Sequence, residues 1–248
     1  MMNGLLLPDE RKKRTAEKRR AILRFLRNEI FTTREVIQVL LNVAPTPAKM
    51  TLSAMQRDGM LRLEQVQCPN GWRPFLWGIT AHGQAVAFDD GEDPIDRVFE
   101  PGRVGLSVVK HTITIQLMRI SAENAGWTHW QNVDRLAKWS KNEGRPDAIA
   151  INTAGEKIAI EIELTMKTTK RYESILFDRL RQIKGGKFDR VVWISPDQEA
   201  SRRLSVIIKN IREFTREFAG TKQQITINPD LHHPRLAFVS LDTWPAAM

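Results

Sequence analysis

One cysteine, Cys68, stands in 248 residues, which excludes an internal disulfide and any zinc site built from cysteines. A lone thiol of this kind fits a reducing compartment. No apolar stretch reaches the roughly 20 residues that a membrane span needs. The opening MMNGLLLPDE is too short for a secretory apolar region and runs directly into charge, so a cytoplasmic protein is expected. The five histidines, His82, His111, His129, His232 and His233, contain no His-x-His spacing, and the adjacent pair would face opposite ways on a strand. Tyrosine occurs once, at Tyr172.

What is present is cationic. The formal charge is +9, and residues 1–88 hold 14 Lys+Arg against 7 Asp+Glu, while the remainder holds 24 against 22. A polyanion such as nucleic acid is the partner class this favours. Ala21, Ile22, Phe25 and Leu26 recur at helical spacing among arginines and lysines, predicting an amphipathic helix from Arg14 to about Asn28 with a basic outer face. A second helix is expected from a Thr32 or Thr33 cap to Leu41, and a third from Thr46-Pro47 to about Arg57. MLRLEQVQ, CPNGW and RPFLWGI then form strand, turn and strand, and a short helix follows Thr80. This order resembles a winged helix-turn-helix. The resemblance implies that the third helix enters a DNA major groove and the hairpin lies over backbone. Candidate DNA contacts are Arg11, Lys12, Lys13, Arg14, Lys18, Arg19, Lys49, Arg57 and Arg73. A winged helix used only for protein contacts is the competing reading. Trp72 and Trp77 in the hairpin could stack on bases, but aromatic residues at hairpin positions more often pack a small domain's core, and no function is assigned to them.

Residues 89–103, acidic with Gly and Pro punctuation, mark a linker, dividing the chain into a 1–88 domain and a 104–248 domain. Val104 to Ile120 is a long apolar run in which Ile113, Ile115 and Leu117 alternate as in a strand, but its unbroken length favours a buried helix. A strand near Trp127 to Trp130, a helix near Val133 to Trp139, and the strands PDAIAIN and KIAIEIEL follow. Then come a helix from Lys170 to Lys184, the strand RVVWIS and a long helix opening at Ser195-Pro196. That helix is expected to bury Leu204, Ile207, Ile208, Ile211 and Phe214. ITIN and RLAFVSL close the chain as strands. The order is that of an α/β domain with a central mixed sheet.

Asp147 opens one strand, and Glu161, Glu163, Thr165 and Lys167 alternate along the next, which places them on one face. Carboxylates so arranged repel unless a cation or a shared proton compensates. A hard divalent metal is one resolution, since Mg²⁺ binds through one or two carboxylates plus substrate phosphate. Salt bridges to Arg145, Lys157 or Lys170 on a solvated face are the other.

RPDA, a glycine-bearing turn and IEIELTMKTTKRY resemble the PD-(D/E)xK core of restriction endonucleases, with Pro146-Asp147 as one half and Glu161-Ile162-Glu163 as the other. Glu163 stands where that motif carries lysine, so the lysine role passes to a neighbour such as Lys167. With the winged helix, His111, and E-x-E-x-T-x-K followed by Arg171-Tyr172, the whole pattern resembles the plasmid replication-relaxation family, which includes MobC-type relaxases. The resemblance implies a metal-dependent endonuclease that uses Mg²⁺ or Mn²⁺ to nick one strand of double-stranded DNA at a plasmid transfer origin. It also implies an accessory mobilisation protein and a coupling protein as partners. Asp147, Glu161 and Glu163 are the candidate metal ligands, with Lys167, His111 and Tyr172 completing the candidate catalytic set. Tyr172 shares a helix face with Ile175 and Leu176, which favours packing over nucleophilic attack, and metal-activated water is the expected attacker. The alternatives are a restriction or repair endonuclease and a non-catalytic plasmid replication initiator or repressor.

Overall fold

A computed structural model describes residues 7–92, 96–133, 139, 143–218 and 220–246. Among them are eight helices and a mixed five-stranded central sheet, in two compact units, 1–117 and 118–248. No helix among the described residues is long and apolar enough to cross a membrane.

The first unit begins with α1 (Pro8–Glu29), where proline sits at a position that needs no amide donor and Asp9 and Glu10 meet the positive end of the helix dipole. Its apolar stripe, Ile22, Leu23, Phe25 and Leu26, is buried. After β1 (Phe31–Thr32), α2 (Arg34–Leu41) stops at Asn42, whose left-handed backbone ends the turn. Helix α3 (Pro45–Arg57) starts two residues earlier than Pro47, because Pro45 takes the first helical position. Strands β2 (Leu61–Gln65) and β3 (Phe75–Ile79) pair antiparallel, and β1 joins the far side of β3, giving the order β1-β3-β2. Helix α4 (Ala81–Ala87) follows, its first turn capped by the Thr80 hydroxyl, which accepts from the Gly83 amide at 3.0 Å.

Helix α5 (Val109–Asn124) confirms the helical reading of the long apolar run, starting later than Val104. Its Gln116 is fully buried, donates to the Phe31 carbonyl at 2.8 Å and accepts from the Thr32 hydroxyl at 2.7 Å. Phe99, in the segment expected as linker, is buried and donates its amide to the Ile79 carbonyl.

In the second unit, β4 (Thr128–Asn132), β5 (Ala148–Ile151) and β6 (Lys157–Ile162) form an antiparallel run. Strands β7 (Arg190–Ser195) and β10 (Leu236–Ser240) add in parallel, in the order β10-β7-β6-β5-β4. The helix expected between Val133 and Trp139 falls largely outside the described residues. The parallel step from β6 to β7 requires a crossover, supplied by α6 (Thr169–Lys184). Tyr172 and Leu176 of α6 and Leu204 and Ile208 of α7 (Gln198–Lys209) pack with Ile149, Ala159, Val191 and Trp193 in one core. Ile158, Ile160 and Ile162, which alternate with these, are buried too, which explains why the central strands read as apolar runs.

Two readings are corrected. Helix α7 is capped by the Asp197 carboxylate, which accepts from the Ala200 amide at 2.7 Å, and it ends at Lys209. Phe214 therefore belongs not to that helix but to β8 (Glu213–Phe218), which pairs antiparallel with β9 (Thr221–Thr226) as a separate two-stranded sheet. A short α8 (Pro229–His232) precedes β10.

Candidate functional site

The β5–β6 register pairs Ala148 with Ile160, and one step further it sets Asp147 opposite Glu161. The Asp147 amide donates to the Ile160 carbonyl at 2.9 Å, while the Ile162 amide donates to Asp147 Oδ2 at 2.7 Å. The carboxylate thus continues the ladder where β5 runs out. Both acids lie on the face that carries Ala159, Ile149 and the helices α6 and α7.

Burial governs the chemistry of Glu161. Its side chain is 14% exposed and receives the Nε–H of Arg179, itself only 2% exposed. Burial pushes the Glu161 carboxyl up to about 7, against the opposing pull of Arg179 and with a further push from the Asp147 charge. Lys167 also acts on Glu161, favouring its charged form.

The strand ends at Ile162, before Thr165 and Lys167, so these two do not extend the alternation along β6. Glu163 still donates its amide to the Ile194 carbonyl at 2.9 Å, is 4% exposed, and is ion-paired with Lys167 four residues on. Lys167 therefore reaches the acids from the loop before α6. The Lys167 amide donates to the Tyr172 hydroxyl at 2.9 Å. Tyr172 is fully buried, and burial raises its phenol to about 12. The salt-bridge partners expected at Arg145, Lys157 and Lys170 are not those shown for Glu161 and Glu163, which pair with Arg179 and Lys167.

Arg179 was missed in the sequence, although a signal existed. Tyr172, Leu176 and Arg179 recur at four and three residues, the spacing of one buried helix stripe. Arg179 Nη1 also donates to the Gly144 carbonyl at 2.8 Å and to Gln182 Oε1 at 2.7 Å, and Gln182 Nε2 donates to the same Gly144 carbonyl at 2.9 Å.

Among the described residues no group of three or more His, Cys, Asp or Glu side chains is drawn together as a ready metal cage. In kind, however, the donor set fits a hard cation. Mg²⁺ takes one or two carboxylates and completes its shell with water and phosphate, and Asp147 and Glu161 are two oxygen donors facing each other across adjacent strands.

In the first unit, Arg11, Lys12, Lys13, Arg14, Lys49, Arg57 and Arg73 are exposed, and Lys18 is half-buried. Arg19 is ion-paired with Asp58. Met50 on α3 and Phe75 on β3 are large exposed apolar groups on the same unit, at 67% and 55%. Trp77 is buried in the core, and Trp72 lies partly exposed at the hairpin turn. His111 is half-buried in the first turn of α5, within the first unit. Comparison with family models, with curated proteins and with solved structures gave no match.

Proposed function

We propose that the chain is a metal-dependent DNA endonuclease in which Asp147 and Glu161 hold a divalent cation. The observation that carries this reading is their opposition on β5 and β6, with Glu161 raised to about 7 by burial and Lys167 close enough to bias its charge. A carboxylate pair so placed can be bridged by a divalent cation, and a scissile phosphate would complete the shell of Mg²⁺ or Mn²⁺.

Bound metal would polarise the phosphate and acidify a water. The chain's own groups supply the rest. Without metal the buried Glu161 carboxyl is raised to about 7, so a bound cation would displace its proton and hold it as carboxylate. Lys167, reaching in from the loop, offers an ammonium for charge developing on phosphate oxygens. Glu163, held by Lys167, keeps that ammonium beside the acids.

The finer reading is a winged helix over the first unit and a PD-(D/E)xK core over the second, the two modules of a cytoplasmic MobC-type relaxase. The element order of the first unit, its three-stranded sheet and its exposed cations support the former. The acids at the β5–β6 hairpin and the helix crossover to β7 support the latter. His111 stands in this proposal on the family resemblance alone. Supercoiled plasmid carrying a cognate transfer origin should be converted to open circles with Mg²⁺ or Mn²⁺, and Asp147→Ala and Glu161→Ala should each lose about 100-fold or more in rate. Equal nicking by wild type and both variants would remove the assignment, and linear product from plasmid lacking an origin would favour a restriction or repair enzyme.

One observation favours a binding-only protein. Glu161 and Glu163 already have cationic partners in Arg179 and Lys167, so their charge is balanced without a metal. Tight DNA binding with no cleavage under any divalent metal would select that reading, a replication initiator or repressor.

A further inference from the structure

A guanidinium in a protein core is costly unless its donors meet acceptors, and where they do its planar fork fixes several groups at once. Arg179 is 2% exposed and spans two separate chain segments: Nε–H goes to Glu161 on β6, while Nη1 goes to Gly144, three residues before Asp147. Gln182, one turn on, places a second donor on that same carbonyl. The Gly144 segment is held from other directions as well. Glu143 is ion-paired with Lys187 of the loop after α6, and its carbonyl accepts the Trp139 indole N–H at 3.2 Å. A Cβ added at Gly144 would stand 2.4 Å from Asp178 Oδ2, so a side chain there would have to push the Asp178 carboxylate aside for the segment to lie this close to α6. Asp178 is in turn ion-paired with Arg216 of β8 at 3.0 Å.

We propose that Arg179 and Gln182 form a clamp on α6 that sets the spacing between Asp147 and Glu161, making Arg179 a positioning residue for the metal-binding pair. This rests on the metal role of that pair argued above. The clamp joins one acid directly and the other through the short Gly144–Asp147 segment. Moving either donor would let the two carboxylates drift apart or turn.

Lysine at position 179 would keep the charge but could not bridge Glu161 and Gly144 with a fork. The test is calorimetric titration of the full chain with Mn²⁺ and no DNA, for wild type, Arg179→Lys and Gln182→Ala, well below each protein's melting temperature. Amide hydrogen exchange of residues 143–149 is measured on the same samples. The clamp predicts Mn²⁺ binding weaker by about 10- to 100-fold in Arg179→Lys, the range for partners that orient metal ligands, and by a smaller factor in Gln182→Ala. It also predicts faster exchange at 143–149 with β7 unchanged. A purely structural Arg179 would lower melting temperature and leave the Mn²⁺ affinity of the folded protein alone. If Arg179→Lys does not fold, Gln182→Ala decides. Variants binding Mn²⁺ within about twofold of wild type would overturn the clamp and leave the metal site standing. No binding by wild type would overturn the metal site, and the positioning role with it.

Discussion

Glu161 is the residue whose surroundings most alter its chemistry, and the consequence is readable without DNA. Its carboxyl titrates near 4.5 when unfolded and about 7 when folded, so between those values the folded protein holds the proton that the unfolded chain has lost. Stability linked to this group is therefore full below about pH 4.5, declines as pH rises through the window, and is gone above about pH 7. In metal-free buffer the difference in unfolding free energy between Glu161→Gln and wild type should grow from pH 5 to pH 8, in favour of the variant. A difference that stays flat with pH would mean that Arg179 holds Glu161 ionised throughout. The acids themselves were legible because charge inside IAIEIEL breaks an otherwise apolar strand. Arg179 was not, since an arginine on a helix rich in Lys and Arg reads as solvated unless its stripe is traced through Tyr172 and Leu176.

Helix α6 organises the second unit around those acids, and its single tyrosine tests how the strand would be cut. Tyr172 sits wholly inside the core, its phenol raised to about 12 and its oxygen accepting the Lys167 amide. A nucleophile needs access and a lowered pKa, and Tyr172 has neither. Tyr172→Phe should keep nicking activity within about threefold and cost about 0.5–1.5 kcal/mol in denaturant unfolding, the value of one intramolecular hydrogen bond. A covalent adduct between wild-type protein and cut DNA, absent in Tyr172→Phe, would instead make Tyr172 the attacker. Helix α6, with its clear stripe, and β5, β6 and β7, as short apolar runs, were legible to within a few residues, whereas α5 was read from the length of its apolar run and begins five residues later than expected. The β8–β9 hairpin was not, for a physical reason. Leu204, Ile207, Ile208, Ile211 and Phe214 keep helical spacing straight through the turn at Asn210, and EFTREF and TKQQIT carry too few inward apolar residues to announce strands. Strand β6 was read too long because its polar alternation continues into a loop.

At the scale of the whole molecule, residues 1–88 carry most of the +9, although the acidic stretch after them brings the 1–117 unit down to 17 Lys+Arg against 13 Asp+Glu. The exposed cations fall into two sets with different expected behaviour. Lys49 and Arg57 project from α3, the helix expected to meet the groove, while Lys12 and Lys13 lie on α1. Each lysine or arginine that neutralises a phosphate releases condensed counterions, so losing one contact lowers the slope of log affinity against log salt by about 1. For the full chain on a duplex oligonucleotide without metal, Lys49→Ala with Arg57→Ala should reduce the magnitude of that slope by about 2. Because both side chains are exposed, unfolding free energy should move by less than about 0.5 kcal/mol. The same measurement on Lys12→Ala with Lys13→Ala decides whether α1 shares the contact: an unchanged slope assigns its basic run to solvent. If neither pair changes the slope, the cationic face of this unit does not bind DNA, and the nuclease reading loses its means of finding a site while keeping its acids.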